Sequence, residues 1–105
     1  MCGITGFLAL DSRRDAAGQD RALQRMSDSL VHRGPDDSGA WRDADAGIWL
    51  GFRRLSILDL SQAGHQPMVS HCGRYVLVFN GEIYNHLAIR RELGDPGAGG
   101  WRGHA

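Results

Sequence analysis

The chemistry of this sequence is concentrated at its second residue, Cys2, which follows Met1. Cys2 has a small side chain, so removal of Met1 is expected and would leave a thiol and a free α-amine on one residue. Because α-amines titrate near ~7.7 to 8.0, part of that amine is unprotonated at cellular pH and can accept the thiol proton. The pattern indicates a nucleophile that carries its own base, as N-terminal threonine does. The alternative is a small apolar residue near a chain end.

A second residue with chemical potential is Arg54, which continues the alternation of Ile48, Leu50 and Phe52 along a predicted strand. Residues two apart point to the same face of a strand, so we expect the guanidinium where the core should be. Because an unpaired guanidinium is costly inside a protein, the side chain either turns outward at a bulge or meets a carboxylate. A protein carboxylate and a substrate carboxylate are both compatible with this position.

A pair of hydrogen-bond donors, Asn80 and Gly81, follows the apolar run 75–79. The run predicts a central strand that is buried on both faces. Asn-Gly is compatible with a type I′ hairpin turn, but Asn85 and residues 86–93 predict a helix cap and a short helix instead. A side-chain amide and a glycine N–H at a strand end could stabilise an oxyanion.

The elements that must position these residues follow from hydrophobic periodicity. Residues 2–10 predict a strand with the thiol at its start, and 11–15 predict a polar turn. Leu23, Met26 and Leu30 are three and four residues apart, which predicts an amphipathic helix over 19–31. Strands are predicted at 38–42 and 47–53, joined by a turn at 43–46.

The helix is predicted to end at His32, Arg33, Gly34 and Pro35. Cationic side chains suit the last turn, glycine adopts the left-handed conformation, and proline cannot continue a helix. Further along, residues 71–73 predict a hairpin turn. After Leu93 a glycine-rich stretch predicts a flexible connection.

Composition excludes several classes of function. The 105 residues allow one domain at most, and twelve basic residues balance twelve acidic ones, which removes the electrostatic case for nucleic-acid or membrane partners. Neither a membrane span nor a secretory signal is present, so we expect a cytoplasmic protein with Cys2 and Cys72 as free thiols. His65, His71 and Cys72 match no zinc pattern with paired ligands, so no metal site is expected.

Five motifs occur in order along nearly the whole chain: Met1-Cys2-Gly3-Ile4 with Gly6, His32-Arg33-Gly34-Pro35-Asp36, Arg54-Leu55-Ser56-Ile57 with Asp59, Gln66-Pro67, and Asn80-Gly81-Glu82-Ile83-Tyr84-Asn85-His86. Together they resemble the N-terminal glutaminase domain of class II glutamine amidotransferases, and within that class the glutamine-hydrolysing asparagine synthetases. The second and fifth motifs also occur in synthetase-like amidotransferases of surface-sugar and antibiotic pathways.

The resemblance implies a role for each matching residue. Cys2 would attack the side-chain amide of L-glutamine, and Asn80 and Gly81 would form the oxyanion hole. Arg54 would bind the α-carboxylate of glutamine. The rest of the glutamine pocket would come from Leu55, Ser56, Ile57, Leu58 and Glu82, and the supporting loop from His32, Arg33, Gly34, Pro35 and Asp36. Ammonia would leave first, and water would then release glutamate from a thioester.

The resemblance also implies the fold and what this sequence lacks. The family fold is an α+β, four-layer αββα sandwich of the N-terminal-nucleophile type, of which residues 1–105 would be the N-terminal part. An aspartate that holds the substrate ammonium is missing, as is the synthetase domain that would bind ATP, Mg and aspartate. The full-length protein is compatible with a homodimer. No cofactor is expected in this chain. The alternative to a working glutaminase module is an inactive fragment that is prone to self-association through an exposed strand edge.

Overall fold

A three-stranded antiparallel sheet covered by one helix carries the site. The structure, a computed structural model, describes residues 2–10, 15–56 and 64–94. Its elements are β1 (Gly3–Leu8), α1 (Ala16–Asp28), β2 (Asp37–Asp43), β3 (Ile48–Arg54), β4 (Met68–Val69), β5 (Val76–Leu77) and α2 (His86–Leu93). The predicted α+β class is confirmed.

The central strand of the sheet is β3, in the order β1-β3-β2. Gly3 of β1 pairs with Arg53, and Asp37 of β2 pairs with Arg54, so the start of β1 and the start of β2 meet at the end of β3. This register brings the N-terminal thiol beside the residues that follow Arg54. The strands predicted at 2–10, 38–42 and 47–53 and the turn predicted at 43–46 are confirmed.

The packed core lies between α1 and one face of β3. Trp49 is 1% exposed, stacks on the ring of Phe7 with 5.3 Å between centroids, and donates its indole N–H to Asp20 over 3.0 Å. Gly51 has no side chain, which leaves room for Leu23 of the helix. The helix starts at Ala16 because Asp15 caps it by accepting the N–H of Gly18.

The predicted core face of β3 is only half right. Phe52 and Arg54 are 2% and 7% exposed, as predicted from the alternation of side chains along the strand. Ile48 and Leu50, which were predicted to share that face, are only half-buried. The most buried side chain, Trp49, points to the opposite face, because that is the face α1 covers. Alternation alone identifies the two faces of a strand and does not say which one a helix covers.

The helix ends earlier than predicted, at Asp28 with Ser29 as its C-terminal cap. The chain then continues through turns in which an N–H donates to the carbonyl three residues before it. Gly34 is not the left-handed residue that the stop pattern suggested. It is required for another reason: the main chain of β3 passes so close that a Cβ on Gly34 would lie 2.5 Å from the nitrogen of Arg54.

The prediction of a buried central strand at 75–79 is wrong. Only Val76–Leu77 forms a strand, β5, which pairs with β4 in a separate two-stranded sheet. Tyr75 and Phe79 are 65% and 39% exposed. An apolar run indicates a need for burial, and within the described residues no element covers this one. The predicted turn at 71–73 is confirmed, with Gly73 at φ +75°.

The helix predicted at 86–93 is confirmed as α2, although Asn85 makes no side-chain hydrogen bond as its cap and none of its residues is buried. In the described part of the chain, neither helix is long and apolar enough to span a membrane. Residues 11–14 of the predicted turn lie outside the described residues, as does the glycine-rich stretch 95–100.

Candidate active site

The sulfur of Cys2 is bound by the main chain of Leu55. The N–H of Leu55 donates to Sγ over 3.3 Å, and the thiol in turn lies 3.7 Å from the carbonyl oxygen of the same residue. One residue, through the two peptide units that flank its Cα, therefore offers the sulfur both a donor and an acceptor. Cys2 as a whole is half-buried.

The carbonyl oxygen of Cys2 receives two side-chain donors. Arg33 donates from Nε over 3.2 Å, and Asn80 donates from Nδ2 over 3.0 Å. The predicted nucleophile, supporting loop and oxyanion residue are thus brought together, although Asn80 lies far from Cys2 in sequence. The amide nitrogen of Asn80 carries a second N–H, which this contact leaves available.

The predicted supporting loop runs along the end of β3, and we refer to residues 33–36 as the 33–36 loop. Pro35 forms a parallel bridge with Arg54, and the N–H of Asp36 donates to the carbonyl of Arg54 over 3.0 Å. In the other direction, Arg53 Nε donates to the carbonyl of Gly34, also over 3.0 Å. His32 is exposed in the turn before this loop.

The segment after β3 is tied to the same loop. The carboxylate of Asp36 accepts the N–H of Ser56 over 2.8 Å. Leu55 and Ser56 are half-buried. Their place in a glutamine pocket stays a prediction. Ile57 and Leu58, the next predicted pocket residues, lie outside the described residues.

Arg54 is buried, with its guanidinium packed directly against the main chain of Gly64, where a Cβ would overlap it. Its burial at the end of β3 agrees with the prediction from the alternation of side chains along this strand. The binding of a substrate carboxylate by this guanidinium stays a prediction.

Two tethers were missed by sequence reasoning. His65 Nδ1 lies 2.6 Å from Asp37 Oδ2, which joins the loop before β4 to β2. Gln66 accepts the N–H of Phe79 over 2.6 Å and donates to its carbonyl over 3.1 Å, so the Gln66 side chain pairs with the main chain as a strand would. The Gln66-Pro67 motif was visible in the sequence, but its partner Phe79 was not.

The Gln66 tether fixes the residue that precedes Asn80 and so aims Asn80 at Cys2. Gly81 and Glu82 follow on the exposed surface, and within the described residues no hydrogen bond joins either of them to Cys2. The site therefore combines a thiol at a strand start, a main-chain donor to its sulfur, and a side-chain amide at its carbonyl. Such a set can activate and orient a sulfur nucleophile. The described residues contain no cluster of acidic, histidine and cysteine side chains that could hold a metal ion.

Known proteins match this chain over nearly its whole length. A family model described as a glutamine amidotransferase domain matches residues 1–104. Asparagine synthetase B [glutamine-hydrolyzing] of Escherichia coli strain K12 is 42% identical over 95 residues, which cover 90% of this chain and 16% of that protein. Asparagine synthetase [glutamine-hydrolyzing] 1 of Bacillus subtilis strain 168 is 41% identical over 93 residues, which cover 89% and 14%.

A protein with a different name also matches. Amidase chry2 of Gibberella zeae is 35% identical over 102 residues, which cover 90% of this chain and 15% of that protein. The chain thus spans about one-sixth of the length of the curated relatives it matches. No solved structure is significantly similar to it. Because the family model spans all but the last residue, the chain belongs to the glutamine amidotransferase domain family.

Proposed function

We propose that this chain is the glutaminase part of a glutamine-dependent asparagine synthetase, and that Cys2 hydrolyses L-glutamine to glutamate and ammonia. The observation that supports this most directly is the convergence of Leu55, Arg33 and Asn80 on Cys2 from three separate segments. A half-buried thiol that served only as packing would not need a donor on its sulfur and two more on its carbonyl.

In the proposed reaction the α-amine of Cys2, free once Met1 is removed, takes the thiol proton. The sulfur attacks the amide carbon of glutamine, and a C–S bond forms as the carbonyl electrons move onto oxygen. The resulting ammonium returns the proton to the leaving nitrogen, the C–N bond breaks, and ammonia departs. Water then attacks the thioester, the amine accepts a proton from it, and glutamate leaves with the thiol restored.

The tetrahedral oxyanion would be stabilised by the second N–H of Asn80 and the N–H of Gly81. Removing one such donor typically costs a factor of about 10² to 10³ in kcat. Arg54 would bind the α-carboxylate of the substrate, and the pocket would be completed by Leu55, Ser56, Ile57, Leu58 and Glu82. The hydrogen bond from Asn80 to the Cys2 carbonyl supports this assignment, since it joins the side-chain amide to the residue that carries the sulfur.

The proposal extends to the whole protein. Residues 1–105 would be the N-terminal part of an αββα sandwich of the N-terminal-nucleophile type. A synthetase domain, with ATP and Mg, would use the ammonia to amidate aspartate in the cytoplasm. A second candidate is an amidotransferase with another acceptor, because one relative is named an amidase rather than a synthetase.

The test is covalent labelling of the chain by 6-diazo-5-oxo-norleucine, a glutamine analogue, followed by intact mass and peptide mapping. We expect one adduct on a chain that lacks Met1, located at Cys2 and prevented by excess glutamine. Cys2→Ala should abolish the adduct, whereas Cys72→Ala, which removes the exposed thiol, should leave it unchanged. Equal labelling of both cysteines, or none that glutamine prevents, would contradict the proposal.

A further inference from the structure

Asp36 holds the two peptide units on either side of Leu55, one with its main-chain N–H and the other with its carboxylate. The N–H of Asp36 donates to the carbonyl of Arg54 over 3.0 Å, and Asp36 Oδ2 accepts the N–H of Ser56 over 2.8 Å. One residue thus contacts the chain immediately before and immediately after Leu55. Two contacts that flank a residue fix the orientation of its own N–H far better than one contact could.

The N–H that this arrangement orients is the one that reaches the nucleophile. Leu55 donates to Cys2 Sγ over 3.3 Å, and its carbonyl lies 3.7 Å from the same sulfur. Leu55 follows directly after the last residue of β3 and lies outside the sheet ladder, so the strand itself does not fix its peptide. A donor aimed at sulfur favours the thiolate, which is the reactive form of cysteine.

We propose that Asp36 is a positioning residue for the Cys2 nucleophile: it holds the 54–56 peptides so that the Leu55 N–H donates to the sulfur. Asp36 does not touch the sulfur itself, and its effect passes through Ser56 and Leu55. The proposal deepens the proposed glutaminase function and rests on it for its biological meaning. The reactivity of the Cys2 thiol, which the proposed positioning should raise, can be measured without glutamine.

The experiment compares the rates at which iodoacetamide alkylates Cys2 and Cys72 in the full chain, resolved by peptide mass spectrometry. Cys72 is exposed in the turn between β4 and β5 and serves as an internal reference. Asp36→Ala removes the acceptor for Ser56, so we expect alkylation of Cys2 to slow by about threefold to tenfold with Cys72 unchanged. Asp36→Asn keeps an acceptor oxygen and should restore the Cys2 rate to within about twofold of the parent chain.

The matched control is Asp43→Ala. Asp43 Oδ1 accepts the N–H of Ala46 over 3.2 Å, which is the same kind of contact in the turn between β2 and β3. We expect this substitution to leave the Cys2 rate unchanged. A Cys2 rate unaffected by Asp36→Ala, or lowered as much by Asp43→Ala or by Asp36→Asn, would overturn the proposal.

Amide hydrogen exchange of the parent chain gives a second measurement that does not depend on whether the alanine variant folds. The Ser56 amide is predicted to be protected because it is bonded to Asp36, and exchange at the rate of an open peptide would overturn the proposal. Labelling by 6-diazo-5-oxo-norleucine distinguishes failure of the glutaminase proposal from failure of the positioning role of Asp36. If it fails at Cys2 while Asp36→Ala still slows iodoacetamide, the glutaminase proposal fails and the positioning role stands. If it succeeds at Cys2 and Asp36→Ala changes neither reagent's rate, only the positioning role fails.

Discussion

Replacing Gly34 by alanine is expected to displace the 33–36 loop from β3 and to destabilise the fold. A Cβ at this position would lie 2.5 Å from the nitrogen of Arg54 and 2.6 Å from the carbonyl oxygen of Arg53, whereas ordinary contacts begin at 3.4 Å. Both neighbours belong to the main chain of a paired strand and cannot rotate away. The loop must therefore retreat by at least about 0.9 Å, the larger of the two shortfalls.

That displacement breaks specific hydrogen bonds. The bond from Arg53 Nε to the Gly34 carbonyl and the bond from the Asp36 N–H to the Arg54 carbonyl are both 3.0 Å long, and both would lengthen to beyond ~3.5 Å. Each contributes about 0.5 to 1.5 kcal/mol, and alanine recovers about 0.4 to 1 kcal/mol by restricting the unfolded chain. We expect a net loss of about 1 to 2 kcal/mol in the free energy of unfolding.

Urea unfolding followed by tryptophan fluorescence measures this loss. The matched control is Gly3→Ala, since the atoms nearest to a Cβ on Gly3 would belong to the Leu30 side chain, at 3.2 Å and beyond, and not to the main chain of a paired strand. The Gly34 variant should unfold at a clearly lower urea concentration than the Gly3 variant, with an unchanged slope. If the two variants unfolded at the same midpoint, the close approach of the 33–36 loop to β3 would not be a feature of the folded protein.

Two further predictions concern the core and the exposed thiol. Trp49→Ala should cost about 3 to 5 kcal/mol in unfolding free energy, while Trp49→Phe keeps the stacking on Phe7 and should cost clearly less; equal losses in urea unfolding would contradict the packing described. The pKa of the Cys72 thiol is lowered mainly by its hydrogen bond to the Ser70 side chain and to a lesser extent by one to the main chain of Arg74. Ser70→Ala should therefore raise that pKa and shift alkylation of Cys72 to higher pH, and an unchanged rate profile would show that Ser70 does not act on the sulfur.

The predictable part of the fold was the part with strong local signals. Leu23 and its helical spacing indicated α1, and alternation around Phe52 indicated β3, because periodicity reflects one-sided burial. The end of α1 was misplaced, since glycine and proline serve both as stop signals and as close-approach residues. Only the structure shows that Gly34 packs against β3 instead of ending the helix.

The candidate site, like the fold, was predictable only in part. The residue types of Cys2, Arg33 and Asn80 marked them as chemically relevant, and the structure places all three in one cluster. The partner of the sulfur could not be predicted, because it is the main chain of Leu55, and a main-chain N–H is the same for every residue except proline. Sequence patterns identify side chains; they do not identify which peptide a fold aims at them.

The 33–36 loop contacts the surroundings of Cys2 at two points. Arg33 at its start binds the Cys2 carbonyl, and Asp36 at its end binds the Ser56 N–H next to the sulfur donor Leu55. The loop therefore contacts the surroundings of both the carbonyl and the sulfur of Cys2, and it is itself held to β3 through the carbonyl of Gly34. A change that moves this loop should alter the carbonyl and the sulfur of Cys2 together, whereas a change at Asn80 should affect the carbonyl alone.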